Sequence, residues 1–179
     1  MTVNAKTALA ALRDRDHPFG RPLALCLMFE PANDQCLAAS IFDLAIALDS
    51  ALHIPSESLL AAIRVQWWVD ALSDNDAQTA PLVTQLHAQF QTHDGLQSDT
   101  IDLIGHWQTA CHDENRDTSD GWAAVWAFVA KHMGQAAQSA IATDIGHQLH
   151  HAIRGHKPHA AVPLNRPQIS ALRRNDAGQ

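Results

Sequence analysis

Carboxylates and imidazoles recur at helical spacing in two stretches of this chain, and chemistry would be sought there first. Asp49 and His53 stand at i, i+4 near the end of one apolar segment, while His147 and His151 stand at i, i+4 in another, with Asp144 one turn earlier and His150 between them. Residues four apart share a helix face. Imidazole with carboxylate suits Zn²⁺ or another first-row transition metal, whereas Mg²⁺ prefers an all-oxygen shell. Frequency argues against a metal: the chain holds 12 histidines, and His87, His93, His106, His112, His156 and His159 occur where no ligand logic applies. A chain this rich in histidine produces such pairs by chance. The expectation is therefore no metal and no cofactor, with Asp49, His53, His147 and His151 as the set a metal would use.

Other chemistries find less support. Ser40 and Ser139 lie in helical patterns without the sharp glycine turn of a nucleophile elbow, and no cysteine has a nearby base in sequence. The 8 glycines are scattered rather than gathered into a phosphate loop. Trp67, Trp68, Trp107, Trp122 and Trp126 fall at helical spacing and read as core. Arg13, Asp14, Arg15 and Asp16 alternate in sign and read as an exposed helix start.

The elements that must position these residues are helices. At 179 residues the chain suffices for one domain, and with 46% apolar and 17% charged residues its charge content is below the usual quarter, so part of its surface is expected to be covered. A net charge of −7 and the lack of any basic run argue against nucleic acid. Cys26, Cys36 and Cys111 are odd in number, widely spaced and set in apolar patterns, and read as reduced, buried thiols. No secretory signal is seen, and no stretch reads as long enough for a membrane span. β-branched runs are absent and tyrosine is missing, so an all-α, single-domain helical bundle is expected.

In chain order, a short apolar helix carrying Pro22 in its first turn ends at Pro31. A second runs from Asn33 as N-cap to His53, with Leu37, Ile41, Leu44 and Leu48 on one stripe and Phe42, Ile46, Asp49 and His53 on the next. A third follows Ser56 as N-cap and ends at the polar loop Ser73 to Thr79. Pro81 opens a fourth. Another begins near Asp99 with Thr100, Ile104, Trp107 and Cys111 on one side, and the run CHDENRDTSD after it reads as a solvated loop. From Asp120 the pattern is helical nearly to Arg154, with Gly134 and Gly146 as points of bending or close packing.

The third helix carries the most distinctive segment, IRVQWWVDAL. Leu60, Ile63 and Trp67 form one apolar row and Ala61, Val65, Trp68 and Leu72 a second, so this helix is expected in the middle of the bundle. With the preceding FEPANDQCLAASIFDLAIALDSALHIPSESLL, it resembles the squalene/phytoene synthase family, in particular its branch of respiratory complex I assembly factors. Ser56, Glu57, Leu59, Leu60, Ile63, Arg64, Gln66, Trp67, Trp68, Asp70, Ala71 and Leu72 carry the resemblance, with Arg64, Gln66, Trp67 and Trp68 as its core signature.

That resemblance implies a truncated isoprenoid synthase bundle over residues 1–155, while the Pro-rich, polar composition of 156–179 leads to the expectation of an extended or disordered tail. The family's first aspartate motif falls on Asp49 to His53, where one carboxylate remains. Its second falls on His147, His150 and His151 before Arg154 and Gly155, where none does. The implied protein is a pseudoenzyme with no catalytic residues, in which Asp49, His53, His147, His150 and His151 mark a vestigial pocket. Its implied partners are subunits of a respiratory membrane complex, as accessory subunit or assembly factor. It would bind peripherally on the cytoplasmic or matrix side of an energy-transducing inner membrane. The family is longer between Trp122 and Ile145 and after Pro163, so a face of the last long helix is expected to meet the partner. The alternatives are an enzyme or carrier for a prenyl diphosphate and a His/Asp metal-binding protein.

Overall fold

The computed structural model describes residues 4–74 and 80–153. The expected tail at 156–179 and most of the Ser73 to Thr79 loop lie outside these residues. Within them the chain is all-α, with eight α-helices, one 3-10 turn and no strand. The helices are α1 (Ala5–Arg13), α2 (Gly20–Leu27), α3 (Ala32–His53), α4 (Ser58–Ser73), α5 (Pro81–Phe90), α6 (Leu96–Ala110), α7 (Ser119–His132) and α8 (Ser139–Ile153).

α3 is the axis of the bundle and packs against α1, α2, α4, α5, α6 and α7. Its composition explains that place. Leu37, Ile41, Phe42, Leu44, Ile46, Leu48 and Leu52 leave almost no direction free of a large apolar side chain, and all are buried. A helix apolar all round must be enclosed. By length and composition it would suit a membrane crossing, contrary to the expectation that no stretch is long enough, yet 83% of its most apolar window is buried inside the bundle. An ion pair with a buried carboxylate and an exposed guanidinium joins it to the N-terminal segment. Arg15 holds Asp43 with both forks of its guanidinium, Nη2 at 3.1 Å from Oδ2. Arg15 is thus more than part of an exposed helix start, while Arg13 and Asp14 form an ordinary surface pair.

α4 was expected at the centre and lies at an edge. Ala61, Val65, Ala71 and Leu72 pack inward, whereas Leu59, Leu60, Ile63 and Trp67 are exposed. The two apolar rows are real, but only one meets the protein. Helix boundaries also shift. Glu57 rather than Ser56 precedes the first turn of α4, and Pro31 rather than Asn33 precedes that of α3. α6 begins at Leu96, three residues early, because Gly95 adopts a left-handed φ of 77° that turns the chain into it.

The expected long C-terminal helix is a hairpin. Gly134, with φ 77°, breaks it after α7, and the 3-10 turn Ala136–Gln138 returns the chain as α8. Gly146 lets the two helices close: a Cβ there would lie 2.6 Å from Ala123 Cα and 2.9 Å from the Trp122 carbonyl oxygen. Of the three thiols, Cys36 and Cys111 are buried and pushed up in pKa by that burial, but Cys26 is exposed.

Candidate functional site

A cleft of about 410 Å³ opens between the α1–α2 loop, the end of α3 and the end of α8. His17, Phe19, Asp49, Ser50, His53 and His150 are among its lining residues. Three members of the expected pocket, Asp49, His53 and His150, are thus brought together. They come from two helices distant in sequence.

Asp49 is buried and heavily bonded. Trp107 donates its indole N–H to Oδ1 at 3.0 Å, and His17 Nε2 lies 3.8 Å from Oδ2. Burial pushes the carboxyl up, but the polar groups of His17, Trp107, Thr118 and Trp122 gathered around it outweigh that and hold Asp49 below the ordinary carboxylate value. Trp122 also stacks on His17, with ring centroids 5.7 Å apart, and meets Phe19 at a tilt with centroids 4.5 Å apart. The carboxylate therefore knots α3, α6, α7 and the α1–α2 loop together. His53 Nδ1 is 2.9 Å from its own helix carbonyl at Asp49, and His150 Nε2 is 3.3 Å from Thr118 Oγ1.

The other two histidines go elsewhere. His147 lies 3.8 Å from Asp120 at the start of α7, and His151 meets His150 edge-on with centroids 5.9 Å apart. Asp144 is exposed. Among the described residues no three His, Cys, Asp or Glu side chains converge as metal ligands. The set Asp49, His53, His147 and His151 is not assembled, because the turn of α8 that reaches the cleft presents His150 to it.

Sequence reading missed His17, Thr118 and Arg116. His17 sits between Asp16 and Pro18 with no periodicity to mark it. Trp107 did leave a signal, since a buried indole N–H requires an acceptor and Asp49 is the buried carboxylate on the central helix. Arg116 belongs to the run expected to be a solvated loop. Its φ of 48° turns the side chain back across the molecule, where it donates to the carbonyls of Leu52 (2.9 Å), Pro55 and Ser56 (3.0 Å).

The signature residues of α4 build surfaces rather than a core. Gln66 donates to Asp70 Oδ1 at 2.8 Å and accepts from Gln108 Nε2 at 2.9 Å, tying α4 to α6. Trp68 is half-buried and meets Trp67 edge-to-face at 5.0 Å. Trp67 stands between a groove of about 460 Å³ shared with Ile63 and Asp70 and one of about 240 Å³ shared with Ile54 and Arg64.

A second apolar surface lies between α2 and α8. Leu23, Leu27, Trp126, Met133, Ile141 and Ile145 help line a groove of about 250 Å³. Nearby, at the end of α2, Met28 and Phe29 are 62% and 86% exposed. No protein-family model, curated protein or solved structure matches the chain.

Proposed function

We propose that this chain is a non-catalytic, squalene/phytoene synthase-like bundle that acts by binding other proteins, as an accessory subunit or assembly factor of respiratory complex I. One observation carries the reading. The cleft carboxylate, Asp49, is committed to internal hydrogen bonds, while the α2–α8 groove with Phe29 beside it leaves apolar surface bare. A diphosphate-gripping site needs carboxylates free to hold Mg²⁺, and an apolar groove rimmed by exposed large side chains is the usual mark of a protein-binding face. The α8 side of that groove, Ile141 and Ile145, is the face from which the resemblance implies that helices have been lost. The partner class rests on the resemblance of IRVQWWVDAL and its upstream segment.

The test is a mild-detergent pull-down of the tagged protein from its own membranes, with the co-purifying chains identified and quantified. Recovery in fixed ratio with a mature respiratory complex makes it an accessory subunit. Recovery with a subset of subunits makes it an assembly factor, and recovery of no respiratory subunit removes the proposal.

The gathering of His17, His53 and His150 around one cleft favours a second reading, a prenyl diphosphate or metal ligand held there. It predicts a rise in melting temperature with saturating prenyl diphosphate and Mg²⁺, or with Zn²⁺. An unchanged melt in both additions counts against it.

A further inference from the structure

The exposed row of α4 shares no residue with the α2–α8 groove and forms a separate apolar surface. Leu59 and Ile63 are 72% and 57% exposed, and Leu60, Trp67 and, from the end of α3, Ile54 extend the same ridge. Large apolar side chains gathered this densely in solvent mark a contact face. Two opposite charges run along one flank of it. Arg64 opens on the groove that Ala47, Ser50 and Ala51 of α3 also line, and Glu57, seven residues earlier, stands two turns away on that flank. Both are exposed, and among the described residues neither is in an ion pair. They lie about 10 Å apart along the helix, at 1.5 Å per residue, too far to pair with each other. Asp70 is on the other flank, where Gln66 donates to it beside the α4–α6 groove.

This arrangement is self-complementary about a two-fold axis. In an isologous contact, where one residue meets a second, the second also meets the first. Two copies of α4 laid antiparallel, with the axis beside Leu60, bring Leu60 against Leu60, Leu59 against Ile63 and Ile54 against Trp67, the last two pairs occurring twice. Antiparallel helices meet like flank to like flank. The same register therefore sets Glu57 of each copy opposite Arg64 of the other, while the two Arg64 side chains stay about 10 Å apart along the axis, roughly a Debye length. Every member of the ridge gains an apolar neighbour, and each charge on that flank an opposite one. A parallel pair would set Glu57 beside Glu57 and Arg64 beside Arg64. An antiparallel pair centred on Trp67 would bring Arg64 level with Asp70, but on opposite flanks.

We infer that two copies of this chain associate through α4, antiparallel about a two-fold axis beside Leu60, with two Glu57–Arg64 ion pairs across the interface. The α2–α8 groove lies outside that contact.

The test is sedimentation equilibrium of the purified full chain from micromolar to millimolar concentration. The wild type is expected to pass from monomer to dimer over that range. Leu60→Asp, Arg64→Glu and Glu57→Arg, each alone, are expected to weaken association by about tenfold or more. Glu57→Arg combined with Arg64→Glu is expected to restore it, which a purely structural role for either residue would not do. In a Cys26→Ser chain, whose remaining thiols Cys36 and Cys111 are buried, Leu60→Cys is expected to give a disulfide-linked dimer on mild oxidation, because that position faces its own copy. All the ridge positions substituted are exposed, and circular dichroism checks that helix content is unchanged. A chain monomeric over the whole range, a dimer that Leu60→Asp leaves intact, a charge swap that fails to restore association, or no cross-link at position 60 overturns the inference. Because purified protein is used, none of these outcomes depends on whether a respiratory partner exists.

Discussion

Asp49 ties residue chemistry to stability. Its carboxyl is held below the ordinary value, so the folded state binds this proton less readily than the unfolded chain does. The stability it contributes is present above the unfolded aspartate value and is lost as pH falls through the lowered, folded one. Asp49→Ala strips the acceptor from the buried Trp107 indole and is expected to destabilise the fold by about 1–3 kcal/mol at neutral pH. Asp49→Asn, which keeps an acceptor, is expected to cost less and to flatten the acid limb of the stability curve. Thermal melts of the three proteins from neutral to acid pH check both statements. If the wild-type acid limb survives in Asp49→Asn, some other carboxylate governs it. The sequence offered Asp49 and His53 as a pair by spacing, but His17 and Thr118 complete the cluster from loops, where no period marks a residue.

At the scale of elements, two joints decide how the helices meet. Gly146→Ala puts a methyl group into the Ala123 backbone, and overpacking of this kind is expected to cost about 1–3 kcal/mol by parting α7 from α8. Arg116→Ala removes donors from three carbonyls between α3 and α4, for an expected loss of about 1–2 kcal/mol. Denaturant titration reads both as a lowered midpoint with an unchanged slope. Helix type was legible because periodicity and turn residues report it locally, but helix number was not: α1 over Ala5–Arg13 went unread, and the last long helix proved to be two. Which helix is central was not legible either. α4 shows two apolar rows in sequence, yet periodicity states how much of a helix is greasy and not whether each greasy row meets protein or solvent. α3 took the centre because its apolar residues run through 22 positions with few polar interruptions. Gly134 was legible as a bend, but whether the chain would reverse there depended on Gly146 admitting α8 against α7.

For the whole molecule, the prediction concerns its outer surface. Phe29→Glu alters a side chain that is largely in solvent, so stability should change by no more than about 0.5 kcal/mol, while recovery of respiratory subunits in the pull-down is expected to be lost. Retained recovery would move the docking face away from the α2–α8 groove. The apolar row of the last helix at Ile141 and Ile145 was legible as helical periodicity, but α2 was needed to make a groove of it, and nothing in sequence brings residue 23 beside residue 145. The Arg116 joint also sets how the molecule can be cut. Between Arg64 and Lys131 it is the sole lysine or arginine, so trypsin has one bond to attack in that long stretch, and the side chain it must grasp is engaged with the carbonyls of another loop. Cleavage after Arg116 therefore requires the joint to open, and its rate in the native protein measures how often the α3–α4 and α6–α7 loops part company.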